Sequence, residues 1–378
     1  MAQTGYTPVQ LYRSTTAAAV PLTANLAPGE LAINIANTDM ALFAENASGT
    51  VVRIMNNPVG LKYPTADGTT GQVVTTDGSG TLSFSNTAAP TNGYRRNRII
   101  NGAMQIDQRN NGASQSLTAN TYKFCVDRWI PDNLGATITG QRVAGPSGYQ
   151  YAYQMNGAPG VTSISFQQRI ESFNVADLVD QNITISANIS NSTLSTVTWE
   201  IYYPNAVDDW SAGTLISSGT WTVSPTATLY TATTNAGPNV AGGLLLNLKV
   251  GAQTSGTFKV TGVQLEPGSL ATPFERQLIS DTLVQCQRYY WTLGRTVFQG
   301  GATATGFGFT MTSSIQFPVT MRAAPTLTAT SSGSVNMTIV GAIGAGQSGF
   351  DFYGTTNGAT SPNYATMTFT NATASAEL

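Results

Sequence analysis

The feature of this sequence that most constrains its fold is an alternation of apolar and polar side chains that recurs in many short segments. Side chains of a β-strand point to opposite faces in turn, so apolar residues at every second position mark a strand with one buried face. The clearest runs are Tyr149, Tyr151, Tyr153 and Met155; Ile164, Phe166 and Ile170; Ile183, Ile185, Ala187 and Ile189; Val197, Trp199, Ile201 and Tyr203; and Leu244, Leu246, Leu248 and Val250. Such strands predict an antiparallel sandwich or jelly roll over residues 94–276.

The last strand of this region changes phase along its length. Phe258 and Val260 alternate, and then Val263 and Leu265 do, with Gly262 at the break. A glycine at a change of phase is typical of a β-bulge, because the extra residue needs an unusual backbone conformation. We therefore expect a bulge at Gly262.

The first 93 residues predict a small fold followed by a connector. Residues 1–57 contain three strand-like runs separated by Asn/Asp/Gly turns, which predicts a β-meander that is marginal on its own. Residues 58–93 predict a slender connector with a hairpin across Asp77-Gly-Ser-Gly80, because Asp-Gly favours tight hairpin turns. Residues 88–93 are rich in turn formers and predict a hinge.

Residues 277–378 predict a second β-rich domain with one short helix near its start. Ser280 is the candidate N-cap of that helix. From Thr296 onward the only charged residues are Arg322, Asp351 and Glu377. A solvated domain normally carries more charge, so we expect part of this surface to be buried between copies of the chain. The whole chain is therefore predicted to be all-β and homotrimeric, held together mainly by residues 1–93 and 277–378.

The composition excludes several functional classes. Only 10% of the residues are charged, the formal net charge is −2, and histidine is absent. A nearly neutral chain is not expected to bind nucleic acid or an anionic membrane. The lack of histidine removes the usual nucleophile–histidine pairs and zinc sites, and no loop has EF-hand spacing, so we predict no catalytic residue, metal or cofactor. No apolar run is long enough to span a membrane, and no signal peptide is expected.

The chain has two cysteines, Cys125 and Cys286, which are far apart in the sequence. Their spacing fits neither a metal site nor a redox motif. We expect two buried thiols in a protein that folds in a reducing compartment. A disulfide between them is the alternative.

Two long segments bracket residues 98–276. They are Arg98-Ile-Ile-Asn-Gly-Ala-Met-Gln-Ile-Asp-Gln-Arg109 and Thr261-Gly-Val-Gln-Leu-Glu-Pro-Gly-Ser-Leu-Ala-Thr-Pro-Phe-Glu-Arg276, with Asp127-Arg128-Trp129 between them. This order of segments resembles the jelly-roll, carbohydrate-binding-like module of bacteriophage tail fibres and related receptor-binding structural proteins. Ala27-Pro-Gly-Glu-Leu-Ala-Ile-Asn-Ile35 is similar to the virion-facing segments of phage fibres.

The resemblance implies a non-enzymatic virion protein of the phage tail that mediates host attachment. It would be assembled in the host cytoplasm, contact other tail or baseplate proteins through its N-terminal segment, and bind a host cell-surface glycan. Two structural alternatives are a baseplate fibre and a head-decoration fibre. A glycan-cleaving tailspike is the alternative from another class.

The candidate glycan-binding residues are Trp210, Asp208, Asp209, Asn205 and Tyr202. Sugar rings stack on aromatic faces while neighbouring amides and carboxylates bind the hydroxyls. Alternation places Tyr202 on the face opposite Trp199, whereas Trp129, Trp199 and Trp221 are expected in the core. A glycosidase would need paired carboxylates, for which Asp208, Asp209 and Glu200 are the candidates.

Overall fold

The computed structural model describes residues 11–36, 40–55, 64, 66–69, 72–86, 96–301, 310–356 and 364–378. Its secondary structure is mostly β-strand in several antiparallel sheets, so the predicted all-β class is confirmed. The chain divides into two compact units, residues 1–87 and 88–378. The domain boundaries expected within these units stay predictions, and the hinge expected at 88–93 lies outside the described residues.

The first unit contains a four-stranded sheet in the order β1-β2-β3-β4. Its strands are β1 (Tyr12–Ser14), β2 (Leu31–Asn34), β3 (Ala41–Glu45) and β4 (Val51–Met55). The predicted meander is β2 to β4, and β1, which the sequence analysis did not identify, pairs with β2 in parallel. One face of the sheet packs on Leu26 through Ala32, Ala41 and Phe43.

The opposite face of this sheet is also apolar. It carries Leu31 and Ile33 of β2, Leu42 of β3, and Val52 and Ile54 of β4, because these positions alternate with the packed residues. Leu31, Val52 and Ile54 are exposed. An antiparallel sheet with one solvated face normally alternates apolar with polar residues, so an apolar second face marks a surface for association.

The predicted hairpin of the connector is confirmed. It consists of β5 (Gln72–Thr76) and β6 (Leu82–Asn86), which pair with each other in antiparallel fashion. Asp77 closes the turn, because its Oδ1 accepts hydrogen bonds from the backbone N–H groups of Ser79 and Thr81, at 2.8 and 2.9 Å. These two bonds lower the pKa of the Asp77 carboxyl, the bond from Thr81 having the larger effect.

Eleven strands of the second unit form the two sheets of a sandwich. They are β7 (Gln115–Leu117), β8 (Ile130–Leu134), β9 (Ile138–Ala144), β10 (Tyr151–Asn156), β11 (Ser163–Ile170), β12 (Asn182–Asn191), β13 (Thr196–Ala206), β14 (Asp209–Thr222), β15 (Thr228–Asn235), β16 (Leu244–Val250) and β17 (Thr257–Pro267). The six-stranded sheet has the order β15-β12-β17-β10-β9-β7, and the five-stranded sheet has the order β14-β13-β16-β11-β8. Short 3-10 turns lie at Ser172–Asn174, Ala176–Leu178 and Val240–Gly242.

The core of the sandwich is made by the alternating residues that the sequence identified. Ile183, Ile185 and Ile189 of the six-stranded sheet and Leu244, Leu246 and Leu248 of the five-stranded sheet are fully buried. Trp129, Trp199 and Trp221 belong to the same core, as expected. Because each strand of the five-stranded sheet buries one face in this way, its remaining side chains project from the outer face.

The bulge expected at Gly262 is confirmed. The register of β12 and β17 shifts between Ser186 and Asn188, opposite Gly262. Gly262 has a φ of 59°, and a Cβ there would lie 2.5 Å from the ring of Tyr149. Both facts require glycine, since a side chain would be strained and would collide with that ring.

The rest of the second unit begins with the helix α1 (Ile279–Gln287) and continues with seven strands. They are β18 (Tyr290–Leu293), β19 (Thr296–Gly301), β20 (Thr310–Gln316), β21 (Thr326–Val335), β22 (Met337–Ile343), β23 (Gly349–Thr356) and β24 (Tyr364–Ser375). β24 pairs with β18, β19 and β21, and β23 lies between β20 and β22. The expected helix is present, but Ser280 is not its N-cap. Leu278 holds that position in an extended conformation, and its carbonyl accepts the N–H bonds of the first turn.

Ion pairs, most of them buried, join this region to the sandwich. The Glu377 carboxylate pairs with Arg128 and with Arg109, at 2.8 Å from the latter, and Glu171 pairs with Arg288. The Arg128 guanidinium also lies 3.6 Å from the ring centroid of Tyr289. These charges are paired and stacked rather than isolated, which is the condition under which burial is tolerated.

The structure also bears on the state of the two cysteines and on membrane-spanning helices. Cys125 and Cys286 are both buried and free, so the distant disulfide does not form. Burial raises the pKa of each thiol, which keeps both protonated and unreactive at neutral pH. Among the described residues, no helix has the length and apolar character needed to cross a membrane.

Candidate glycan-binding groove

The outer face of the five-stranded sheet forms the floor of a groove. Strand register arranges its side chains in rows that run across the sheet. The three rows are Thr198, Lys249, Ser165 and Asp132; Glu200, Asn247 and Gln167; and Tyr202, Leu245 and Arg169. The floor is therefore polar, and regular strands hold every group on it in place.

Residues from a loop and a hairpin form the side walls of the groove. Tyr122 precedes β8 and lies at one side, while Trp210, Ser211 and Gly213 of β14 lie at the other. Together they enclose an open groove of about 320 Å³. A concave surface with aromatic sides and a polar floor is the usual form of a carbohydrate site.

One end of the groove is aromatic and cationic. The Arg169 guanidinium carbon lies 5.5 Å from the ring centroid of Tyr122 and 6.0 Å from that of Trp210. Tyr122 is 65% exposed, so its ring is accessible to a ligand. Burial lowers the pKa of Arg169, the Tyr122 phenol opposes that effect, and the Arg128 charge adds to it. The cation lies close enough to both rings to hold their orientation through cation–π attraction.

The centre of the groove is a hydrogen-bond network around Glu200. Its Oε2 accepts a hydrogen bond from Asn247 Nδ2 at 2.8 Å and another from the Tyr202 hydroxyl at 3.0 Å. Burial and the neighbouring Glu200 charge raise the pKa of Tyr202 to about 12. The Tyr202 hydroxyl is therefore a neutral donor over the whole physiological range, and this donation fixes its ring over the floor.

Three buried polar atoms of groove residues have no hydrogen-bond partner in the part of the chain that the structure describes. They are Trp210 Nε1, Arg169 Nε and Asn247 Oδ1. Leaving a buried donor or acceptor unpaired costs roughly 1–3 kcal/mol, so native proteins avoid it unless water or a ligand pairs with the group. Arg128 Nε, which does not line the groove, is also buried and unpaired, so such atoms do not by themselves mark a ligand site.

The charges of the groove balance. Arg169 and Lys249 supply two positive charges, and Glu200 and Asp132 supply two negative ones. Burial raises the pKa of the Asp132 carboxyl, and the Lys249 ammonium opposes that effect. A balanced field gives no strong preference for a highly charged ligand.

The structure brings two of the five predicted residues into the groove. Tyr202 and Trp210 both line it, and Tyr202 lies on the face opposite Trp199, as alternation requires. Asp208, Asp209 and Asn205 instead lie in and beside the turn that joins β13 and β14.

These three residues hold the turn together. Asp208 has a φ of 55°, and its carboxylate accepts bonds from the Ser172 N–H at 2.7 Å and the Ser172 hydroxyl at 2.8 Å. Asp209 accepts the Ser211 N–H at 2.9 Å, and this bond lowers the pKa of its carboxyl. Asn205 accepts the Thr214 hydroxyl at 2.9 Å. Their polar atoms thus shape the hairpin that presents Trp210.

The arrangement of carboxylates does not favour hydrolysis. Glu200 on β13 and Asp132 on β8 are the carboxylates of the groove, and two strands, β16 and β11, lie between β13 and β8. At about 4.8 Å per strand, their backbones are roughly 14 Å apart. The carboxyl groups of glycosidase pairs lie about 5 to 9.5 Å apart, so the Glu200 and Asp132 side chains would have to extend toward each other across β16 and β11 to act on one bond. Among the described residues, no acidic, histidine or cysteine cluster could hold a metal ion.

Several groove residues were not identified from the sequence as ligand contacts. Asn247, Lys249 and Arg169 occupy the polar positions of strongly apolar strands, so alternation alone places them on the outer face. What the sequence lacks is the order of the strands, which brings them beside Glu200. Tyr122 lies in an irregular segment, where alternation does not predict the position of the side chain.

Comparison with models of known protein families gives no match, and no curated protein matches the chain. Solved structures that are similar in shape include the enzymatically active domain of bacteriophage CBA120 tailspike protein 4, with 14% identity and a TM-score of 0.30 over 46% of this chain. That match spans 21% of the tailspike chain. A CBM4 structure has 17% identity and a TM-score of 0.30, covering 45% of this chain and 99% of its own.

A third similar structure is TmCBM61 in complex with β-1,4-galactotriose. It has 10% identity and a TM-score of 0.28, covering 46% of this chain and 100% of its own. All three TM-scores lie far below the value at which a shared fold is secure. The assignment of the groove therefore depends on its own geometry.

The role of Asp208 in the turn can be tested by its removal. Asp208→Ala deletes the two bonds to Ser172 and should lower the free energy of unfolding by about 1–3 kcal/mol, measured by urea denaturation. Asp209→Ala is the matched control, because that exposed carboxylate makes one local bond and should cost clearly less. Equal stability of Asp208→Ala and the wild-type protein would contradict the structural role.

Proposed function

We propose that the chain binds a glycan in the groove on the five-stranded sheet and does not cleave it. The observation that carries this proposal is the exposed ring of Tyr122 and the side wall of Trp210 beside a floor of fixed polar side chains. A sugar ring stacked on Trp210 or Tyr122 would bring its hydroxyls to the polar groups of that floor, which include Glu200, Lys249 and Asp132. The balanced charge of the lining favours a neutral glycan, and the open length of the groove favours an extended chain over a single sugar.

We further propose that this binding serves host attachment by a bacteriophage tail fibre. The proposal rests on the resemblance of the segments 98–109 and 261–276 to phage fibre modules and on the unusually low charge of the chain. In such a fibre the N-terminal segment contacts other tail or baseplate proteins, and the groove meets the cell-surface glycan. A baseplate or head-decoration fibre would use the same groove in another part of the virion.

We propose that the fibre is a homotrimer. The apolar outer face of the first sheet, made of Leu31, Ile33, Leu42, Val52 and Ile54, supports association between copies. These five positions carry no charge, and Arg13 of the edge strand β1, in register with Ile33, is a charged residue at the margin of the face. Association of copies also multiplies a weak groove affinity through avidity.

Trp210→Ala should weaken glycan binding by about five- to ten-fold, because stacking on one ring contributes roughly 1 kcal/mol beyond burial of its area. A printed glycan array identifies the sugars, and isothermal calorimetry with the soluble glycan that binds measures Kd. Phe173→Ala is the matched control, since Phe173 is 89% exposed but lies outside the groove. Unchanged affinity of Trp210→Ala, with unchanged melting temperature, would place the site elsewhere.

Light scattering of the purified chain at micromolar concentration should give about three times the 39.6 kDa chain mass. Ile54→Lys places a charge on the apolar outer face and should shift the population toward monomers. Leu229→Lys, an exposed position on strand β15 of the sandwich, is the control and should leave the mass unchanged. A wild-type chain that remains monomeric under these conditions would rule out the trimer.

Incubation with the glycan that binds best on the array should release no reducing ends over hours, because two other strands separate the strands that carry the two groove carboxylates. A colorimetric reducing-end assay measures this. If ends are released by the wild-type protein and not by Glu200→Gln, the chain is a tailspike enzyme instead.

A further inference from the structure

The segment that follows β24 reaches the aromatic end of the groove. The carbonyl oxygen of Leu378 accepts a hydrogen bond from Arg169 Nη1 at 2.8 Å. Arg169 is the residue whose guanidinium lies beside both Tyr122 and Trp210. A backbone group from outside the sandwich therefore helps to set the position of a side chain that lines the groove.

Residues 376–378 are themselves held at several points. The Ala376 N–H donates to the Tyr289 carbonyl at 2.8 Å, and Arg322 donates to the carbonyls of Ala376 and Glu377 at 2.9 and 3.0 Å. The Glu377 carboxylate pairs with Arg128 and Arg109. Since backbone and side chain are both fixed, the Leu378 carbonyl is presented to Arg169 in one position.

Arg128 connects the same segment to β11 by a second route. Its Nη1 pairs with Glu377, and its Nη2 donates to the backbone carbonyl of Arg169 at 2.6 Å. Its side chain is only 1% exposed, so loss of the Glu377 charge would leave a buried cation without that carboxylate. The two routes converge on Arg169, one on its side chain and one on its backbone.

We infer that Glu377 is a positioning residue for the groove, which acts through Arg169 and makes glycan binding depend on the docked 376–378 segment. This inference rests on the proposed glycan-binding function. With the segment docked, Arg169 is held where its charge attracts both aromatic rings. Without the docked segment, the Arg169 side chain can turn toward water or toward Glu200. The rings of Tyr122 and Trp210 are then no longer held at a fixed distance from each other.

The first test needs no ligand. The full chain is labelled with 5-fluorotryptophan, which gives one ¹⁹F signal for each of its five tryptophans, and Trp210→Phe assigns the signal of Trp210. Glu377→Gln should shift or broaden that signal and leave the signals of the core residues Trp199 and Trp221 in place. In a chain that also carries Arg169→Gln, Glu377→Gln should no longer change the ¹⁹F signal of Trp210, because the Arg169 side chain that connects the two sites is absent.

Two further variants distinguish the route through Leu378 from a general loosening of the interface. Arg322→Gln releases the backbone of residues 376–378 without changing the charge beside Arg128, and it should shift the Trp210 signal in the same direction. Gln108→Ala is the matched control, because it removes another hydrogen bond across the same interface, from its Nε2 to the Tyr290 carbonyl at 2.8 Å, and leaves in place the bonds described above for Arg128, Arg169 and residues 376–378. An equal shift in the control would mean that general loosening of the interface, not the route through Leu378, controls the groove.

The second test measures affinity on the same proteins, with the soluble glycan identified on the array as the probe. Glu377→Gln should raise Kd about five-fold, and the double variant with Arg169→Gln should bind no more weakly than Arg169→Gln alone. If no glycan binds the wild-type chain, the proposed function fails while the fluorine result still decides the coupling. If the glycan binds and Glu377→Gln changes neither Kd nor the Trp210 signal, the positioning role is wrong.

Discussion

The packing of the six-stranded sheet on one face of the five-stranded sheet is the constraint on which the rest of the second unit depends. Burial of Leu244, Leu246 and Leu248 in that core forces the residues between them, Leu245, Asn247 and Lys249, to the opposite face. The polar floor of the groove is thus a direct consequence of strand alternation. Each core substitution that altered the register of a strand would also move its groove residues to the wrong side.

The charges of the buried arginine cluster are compensated within the chain. Arg109 and Arg128 both stack on tyrosines and pair with Glu377. In the groove, Glu200, Lys249 and Asp132 are only partly buried and line open space. The cluster therefore stabilises the fold, whereas the groove presents polar groups that a ligand can reach.

The sequence predicted the strands well because alternation is a local property of the chain. It placed Tyr202 opposite Trp199, and it located the bulge at Gly262, where the apolar phase changes. The order of strands in a sheet is not local, and this order is what brings Arg169 of β11 and Asn247 of β16 beside Glu200 of β13. Asp208 and Asp209 were predicted to be sugar ligands because an aspartate that forms a turn cannot be distinguished, in the sequence alone, from one that binds a ligand.

The start of helix α1 is a second feature that the sequence did not predict correctly. Ser280 has the side chain of an N-cap, yet the chain enters the helix two residues earlier because Leu278 is extended and its carbonyl receives the first N–H bonds. The bonds at the helix start are local, whereas Arg169 is bonded to Leu378, which is distant in the sequence. The groove is therefore not a property of the sandwich alone. Its floor follows from local alternation, whereas the position of its cationic end follows from the docking of the last strand's continuation against the buried arginines.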